Sequence, residues 1–389
     1  MTVAFKLLAQ VGPTFCKLEN YFLNLIKDIL WREAQNSSDP KKILIHRVGK
    51  IGDIVCALPA IRAVRARWPN SQITLLTNES ERSYQGLKLF LMKISWIDEI
   101  IFYRPSELNR PCEIKSFATS LSQKNIDLWL SLPQDLTSFF VELRNMLFAK
   151  YVNSKNGFGF RVNTVKLFSF YQAKFIKHKY EVNRLIEIVG EIGIENACID
   201  YGIAGLKMAD TKNEFLEIVL DLRESLLIIA PGGNRISNRW PSMRFADVAK
   251  RWVDEGGKVA FIGGSQDASL AEEIIKNIPG QSAINLCGIT TLEESLNLLK
   301  NCKIFLSNDS GPIHLAAANK TPMVTIFSAR DFPGKWFPKY EGSFSLRDIT
   351  DCSPCFLEVC NRNNKCLANI SVDDVWNAIK EVELIGRQY

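Results

Sequence analysis

Lys303-Ile-Phe-Leu-Ser-Asn-Asp-Ser-Gly-Pro-Ile-His-Leu-Ala-Ala-Ala-Asn-Lys-Thr-Pro-Met-Val-Thr-Ile-Phe327 decides the fold of the chain's second half. The apolar run Lys303–Ser307 reads as a buried strand, and the polar turn Asn308-Asp309-Ser310-Gly311 follows it. Pro312 opens a helix, where its missing N–H costs nothing. Asn319 to Pro322 stops that helix, and Met323–Phe327 is the next buried strand. This is a βαβ unit with a small, polar, Gly-containing turn at the strand's carboxyl end. Such a turn offers backbone N–H groups and the positive end of a helix dipole to an anion. A phosphate-bearing ligand is expected there.

Two further strands upstream end in similar turns. Leu226–Ala230 runs into Pro231-Gly232-Gly233, and Lys258–Ile262 runs into Gly263-Gly264-Ser265 before a helix over Ala268–Lys276. A short strand at Ile284–Leu286 and a helix at Leu292–Leu299 complete this half. In open parallel sheets, ligands bind beyond the carboxyl ends of the strands. The first half reads as a second α/β sheet. Its strands are Ile43–His46, Ile73–Thr77, Glu99–Tyr103 and Asp127–Ser131, with a Gly-bearing turn at Val48–Gly52 and a helix over Asp53–Arg67. Residues 150–205 show no clear period. The expected organisation is residues 1–40 as an N-terminal helix and linker, 41–205 as one domain, and 206–222 as the connection. Residues 223–372 then form a second domain and 373–389 a C-terminal helix.

A chain of 389 residues has room for two ordinary domains, each with its own core. Its 47% hydrophobic and 23% charged residues are those of a globular protein. No run of eighteen apolar residues occurs, so no segment is expected to span a bilayer. The net charge of +6 is unevenly placed: nine Lys/Arg against Glu142 and Glu181 make residues 141–184 carry +7, and the rest of the chain is near −1. Nucleic acid, an acidic membrane surface, a phosphorylated substrate or plain water would each suit such a segment.

In residues 1–31, Phe15, Leu18, Phe22, Leu25, Ile26 and Ile29 recur at helical spacing, with Lys17 and Lys27 elsewhere on the wheel. This amphipathic helix could lie on a membrane surface or pack on its own protein. Ala34 to Lys41 reads as a polar linker. Of the ten cysteines, Cys352, Cys355, Cys360 and Cys366 cluster, and most of the others sit in apolar runs. No secretory signal is evident, so a reducing, cytoplasmic compartment is expected. The irregular spacing of the cluster fits a packed loop better than a zinc module.

Two Gly-rich α/β halves joined by a linker suggest a cleft with a nucleotide on one side and a second substrate opposite. On the nucleotide side, Ser310 and Gly311 offer backbone N–H groups, and His314 in the first helical turn could reach a phosphate oxygen. His314 could equally be a packing residue, and Asp309 an N-cap. After Gly232-Gly233, Arg235 and Arg239 could neutralise a diphosphate leaving group. On the other side, Gly49-Lys50-Ile51-Gly52-Asp53 crosses from strand to helix. Asp53 there could accept a proton from an attacking hydroxyl, and it could also cap the helix. The chain has no Asp-x-Asp pair, the motif through which metal-dependent sugar-nucleotide transferases hold a diphosphate.

Three blocks together resemble the heptosyltransferases of glycosyltransferase family 9, which build the inner core of lipopolysaccharide. They are Arg47-Val-Gly-Lys-Ile-Gly-Asp-Ile-Val-Cys-Ala-Leu-Pro-Ala-Ile61 with Trp68-Pro69, then Ala230-Pro-Gly-Gly with Arg239-Trp-Pro and Phe245, then Ser307-Asn-Asp-Ser-Gly-Pro-Ile-His-Leu-Ala-Ala317. The cysteine cluster followed by Ile370-Ser371 is also similar to a pattern common in that family. The resemblance spans about residues 42–385 and implies a GT-B fold, two Rossmann-like α/β domains facing across a cleft. It implies inverting, metal-independent transfer from a nucleotide sugar, usually ADP-heptose, without a cofactor, to an acidic glycolipid acceptor. In that reading Asp53 is the general base. Arg239, Asp309, Ser310, Gly311 and His314 bind the donor with Gly232, Gly233 and Arg235, and Arg47, Lys50 and Arg161 face the acceptor. The +7 segment then meets an acidic glycan rather than nucleic acid, with peripheral contact at the inner membrane. After Gly263-Gly264, Gln266 and Asp267 are the candidates for reading the donor's ribose or sugar. Alternatives are a GT-B transferase acting on another nucleotide sugar for a different surface glycan, a sugar-nucleotide epimerase, or a nonenzymatic homologue that keeps the binding site.

Overall fold

The computed structural model describes residues 2–32, 39–79, 84–164, 178–203 and 222–386. The chain divides into two compact units, Met1–Gly202 and Ile203–Tyr389. Residues 206–221 of the expected connection, residues 34–38 of the polar linker, and Lys166, Lys174 and Lys177 lie outside the described residues.

The first unit holds β1 (Lys42–His46), β2 (Gln72–Asn78), β3 (Glu99–Tyr103), β4 (Leu128–Ser131) and β5 (Asn156–Phe158) in the order β3-β2-β1-β4-β5. The second holds β6 (Leu226–Ala230), β7 (Lys258–Phe261), β8 (Ala283–Asn285), β9 (Ile304–Asn308), β10 (Met323–Phe327) and β11 (Ser343–Arg347) in the order β11-β10-β9-β6-β7-β8. Every ladder among the described residues is parallel. Parallel sheets are covered on both faces, so central strands carry unbroken apolar runs. Leu226–Ala230 is such a run, and Met323–Phe327 is likewise buried at every position, its one polar side chain, Thr325, donating to the Phe344 carbonyl at 3.2 Å.

The expected strands form, and Glu99–Tyr103, Leu226–Ala230 and Met323–Phe327 keep their expected ends. Two of the four edge strands, β5 and β11, have no counterpart among the expected strands, and their residues are mostly half-buried. In β5 the Gly157 position is needed: a Cβ there would stand 2.5 Å from the Trp31 ring. The opening turn is set slightly differently from expectation. Ser310 is the extended cap residue and Gly311 the first helical one, with Pro312 second, of the helix ending at Ala318.

Helix α1 (Thr2–Leu30) docks on the first unit beside α2, the helix Phe139–Tyr151. Cys16, Leu23 and Trp31 are buried with Met146 and Ala149 of α2. Asn20 pairs with the backbone of Val162 in both directions, donating at 2.7 Å and accepting at 2.8 Å. The Trp31 indole N–H donates to the Ser154 carbonyl at 2.9 Å. Packing on its own protein is therefore what one face of α1 does. It is not the face that the apolar spacing picked out: Leu18, Phe22, Leu25 and Ile29 are exposed.

Leu23 and Leu25 therefore make an internal control. Leu23→Ala is expected to lower stability by about 2–5 kcal/mol, because it opens a cavity under α1. Leu25→Ala should stay within about 0.5 kcal/mol of wild type. Urea unfolding of both variants measures the difference, and equal losses would contradict the docked arrangement.

Candidate active site

In the second unit the candidate residues gather at the carboxyl ends of β6, β7, β9 and β10. One buried side chain joins two of those ends. Asn308, fully buried at the last position of β9, donates to the Pro231 carbonyl at 2.6 Å and accepts from the Trp240 N–H at 3.0 Å. It thereby ties the Gly232-Gly233 turn and the segment before Trp240 to the end of β9. Asn238 continues the chain of bonds, donating to Asp309 Oδ2 at 2.9 Å and accepting from the Ser328 hydroxyl at 2.7 Å. Ser310 and Ser307 hydroxyls pair at 3.1 Å.

Gly232 is at its position for steric reasons. A Cβ there would fall 2.3 Å from the Asp267 carboxylate, and Gly263 is crowded by the same group at 2.8 Å. Asp267 is buried and accepts from the Gly264 N–H at 3.1 Å, so this carboxylate wedges the turns after β6 and β7 together. Gly233 has no close neighbour to a Cβ. Arg239 folds back onto the Gly233 carbonyl, donating at 3.0 and 2.7 Å, and keeps about a third of its side chain exposed. Arg235 pairs with Glu358 at 2.9 Å. Arg330 donates to the carbonyls of Leu357 and Phe356, which draws the loop carrying Glu358 toward the turn.

Asp309 is raised to about 7, first by burial and then by Asp331, while Arg235, Arg330 and Lys335 pull it down. This carboxyl therefore holds its proton to a higher pH than an ordinary aspartate, beside three cationic side chains. His314 is buried in the first turn of its helix with its ring against Trp336 at 5.7 Å, and the Lys335 ammonium lies 4.8 Å from the Trp336 ring centre. Among these, Asn308, Asn238, Arg330 and Lys335 were absent from the sequence-based site. A polar residue ending an apolar strand is the signal that Asn308 gave. Arg330 and Lys335 lie in a loop without a period, and only the fold brings them to the turn.

In the first unit, β1 runs into the Gly49 turn and then into α3 (Ile51–Arg67). Asp53 sits in the first turn of α3, and its Oδ2 accepts from the Lys50 N–H at 2.9 Å. The capping role is thus real, and it leaves Oδ1 turned toward Arg47 Nη2 at 3.6 Å. Asp53 is 24% exposed, so a substrate hydroxyl can reach it. Gly49 has φ +152°, and a Cβ there would come within 2.3 Å of Asp53 Cβ. Its N–H donates to Asn78 Oδ1 at 2.7 Å, which pins the turn to the end of β2.

Arg47 is fully buried, and its donors are directed inward. They reach the carbonyls of Asp53, Leu132 and Pro133 and the Glu181 carboxylate at 3.1 Å. Arg184 joins the same carboxylate at 2.6 Å. Arg47 therefore positions Asp53 rather than offering a free charge. Lys50 is exposed, and Arg161 stands 3.5 Å from Glu191. Of the other bases in the +7 segment, Lys155 pairs with Asp127 and Lys179 with Glu187, so acids from outside it offset part of the excess. His46, half-buried and 3.0 Å from the Tyr103 hydroxyl, is lowered to about 4 by desolvation, then by Arg144 and Arg47.

Cys352, Cys355, Cys360 and Cys366 are free thiols lining one small cavity with Ser237, Arg330 and Lys365. They pack the loop that carries Glu358. Among the described residues no three His, Cys, Asp or Glu side chains are arranged to hold a metal ion.

Residues 114–366 match the family model for glycosyltransferase family 9 (heptosyltransferase). The lipooligosaccharide heptosyltransferase 2 of Campylobacter jejuni is 22% identical over 349 residues, which is 88% of this chain and 99% of that protein. The lipopolysaccharide heptosyltransferase 2 of Escherichia coli is 35% identical over 101 residues, and this match spans only 25% of the chain and 29% of the relative. Among solved structures, E. coli heptosyltransferase WaaC with ADP-2-deoxy-2-fluoro heptose superposes with a TM-score of 0.63 at 17% identity, covering 87% of this chain and 99% of that one. With two parallel α/β units and the glycine turns of both in place, the chain has the GT-B fold and belongs to glycosyltransferase family 9, the heptosyltransferases.

Proposed function

We propose that the protein transfers a heptose from ADP-heptose to an acidic, lipid-borne acceptor of the lipopolysaccharide inner core, with inversion and without a metal. The observation that carries this reading is Asp53, half-open at the start of α3, with one oxygen held by the Lys50 N–H and the other facing buried Arg47. The E. coli relative carries an ADP-fluoroheptose, which supports ADP-heptose as donor.

In the proposed reaction an acceptor hydroxyl attacks the anomeric carbon of the donor. Its proton passes to Asp53, a new C–O bond forms, and the bond between the anomeric carbon and the phosphate oxygen breaks. The electron pair of that bond leaves on ADP. The backbone N–H groups at Ser310 and Gly311 and the positive start of their helix face the developing charge. Arg239, Arg235, Arg330, Lys335 and His314 add positive charge or donors around the same turn. This takes the place of a metal held by an Asp-x-Asp pair, which the chain lacks.

Two measurements test the assignment. Asp53→Asn should lower kcat/KM for transfer to a deacylated core acceptor by about 10²–10⁴-fold while ADP binding persists. Transfer at the wild-type rate would remove Asp53 from the mechanism.

The second concerns Asp309. Because it is raised to about 7, it becomes an anion as pH rises from 6 to 8.5 and then repels a diphosphate. Wild-type affinity for ADP should fall across that range, and Asp309→Asn should lose less. Titration of both proteins by calorimetry removes the contribution of ADP's own ionisation, which they share. Parallel pH profiles would show that Asp309 does not sense the donor.

A further inference from the structure

Helix α1 has two faces with opposite partners. Cys16, Asn20, Leu23 and Lys27 point to the protein, where Cys16 and Leu23 are buried and Asn20 bonds to Val162. About half a turn away, Leu18, Tyr21, Phe22, Leu25 and Ile29 fall within an arc of roughly 100°. All five are exposed, Tyr21 at 63% and Ile29 at 66%. The helix beside it, α2, continues the apolar surface with Phe140 at 78% and Leu147 and Tyr151 at about half. Contiguous apolar surface of this kind marks an interaction site.

The charges around it choose the partner. Exposed Lys17 and Arg32 flank the α1 stripe, and exposed Arg144 and Lys150 lie on α2, against Asp28 as the exposed acid on these two segments. A second copy of the chain seated on this face would set these cations against themselves. An anionic bilayer complements both features: aliphatic and aromatic side chains enter the acyl boundary, while the Lys and Arg stems reach back to the headgroups. No described helix is long and apolar enough to cross a membrane, and α1 contains Pro13. The helix is therefore suited to lying on a bilayer rather than to spanning one.

We propose that the exposed stripe of α1, with the solvent side of α2, is a peripheral docking face for an anionic lipid bilayer. The proposal rests on the heptosyl-transfer reading only in its purpose: the docked unit is the one that carries Asp53, so the enzyme meets its lipid-borne acceptor at the membrane. Residues 2–32 precede the region matched by the family model, whereas α2 lies within it.

Flotation of the full-length protein with phosphatidylcholine vesicles, with and without about one-third phosphatidylglycerol, tests this. Wild type should float with the anionic vesicles, less so in high salt. A Leu18→Ser, Leu25→Ser, Ile29→Ser variant should bind at least about tenfold more weakly. It should melt at the wild-type temperature and turn over ADP-heptose with a deacylated, soluble acceptor at the wild-type rate. Flotation of the variant equal to wild type would overturn the proposal, as would failure of wild type to float. So would self-association of wild type through this stripe in place of vesicle binding. Transfer to the soluble acceptor is read separately, so loss of membrane binding and loss of the catalytic reading are told apart.

Discussion

Parallel strand pairing is the constraint from which the arrangement of both units follows. When every strand of a sheet runs the same way, each βα turn must emerge at the same edge, and each return crossing at the other. Residues far apart in sequence then meet at that edge without any contact of their own to bring them there. Gly232, Asp267 and Asp309 lie in turns after β6, β7 and β9; Asn308 and Asn238 stitch the segments after β6 and β9 with hydrogen bonds, and Asp267 fits between the turns after β6 and β7. The sheet supplies the meeting place, and a few buried polar groups set the distances within it. The glycines serve the same end, because Gly232 leaves the space that Asp267 fills.

The first unit solves a different problem, that of aiming one carboxylate. Asp53 is held by a helix start on one side and by Arg47 on the other. Arg47 is tolerated in the interior because each of its donors meets a carbonyl or a carboxylate, Glu181 foremost. Removing one member of such a network leaves a buried charge unpaired, which costs far more than the pair itself contributes. The arginine that opens the first recognisable block is therefore part of the scaffold beneath the Asp53 carboxylate. A free guanidinium at that position would be a second ligand for an acidic substrate. A buried one fixes the angle of the carboxylate instead.

Much of the fold was legible from local pattern. Central strands such as Leu226–Ala230 announce themselves because burial on both faces favours an unbroken apolar run. Edge strands are less uniform: Glu99–Tyr103 was legible, but Asn156–Phe158 is a strand because Trp31 lies against Gly157 and β4 offers its free edge. In α1 the apolar period was plain and its meaning was not. Periodicity identifies a face, but it does not say what covers that face. Here the covered side is the mixed one, held by Cys16, Asn20, Leu23 and Trp31, and the purely apolar side is left to solvent.

The sequence by itself determined the two parallel α/β units, the turns at the carboxyl ends of β1, β6, β7 and β9, and the family to which those turns belong. These are local properties: strand burial, helix starts and glycine-bearing turns are written within a few residues of each other. The tertiary structure alone decided that Arg47 is buried beneath Asp53, that Arg330 and Lys335 stand by Asp309, and that α1 turns its apolar stripe outward. Each of these depends on groups that are distant along the chain. Burial, charge pairing and the raised pKa of Asp309 come from neighbours that only folding supplies.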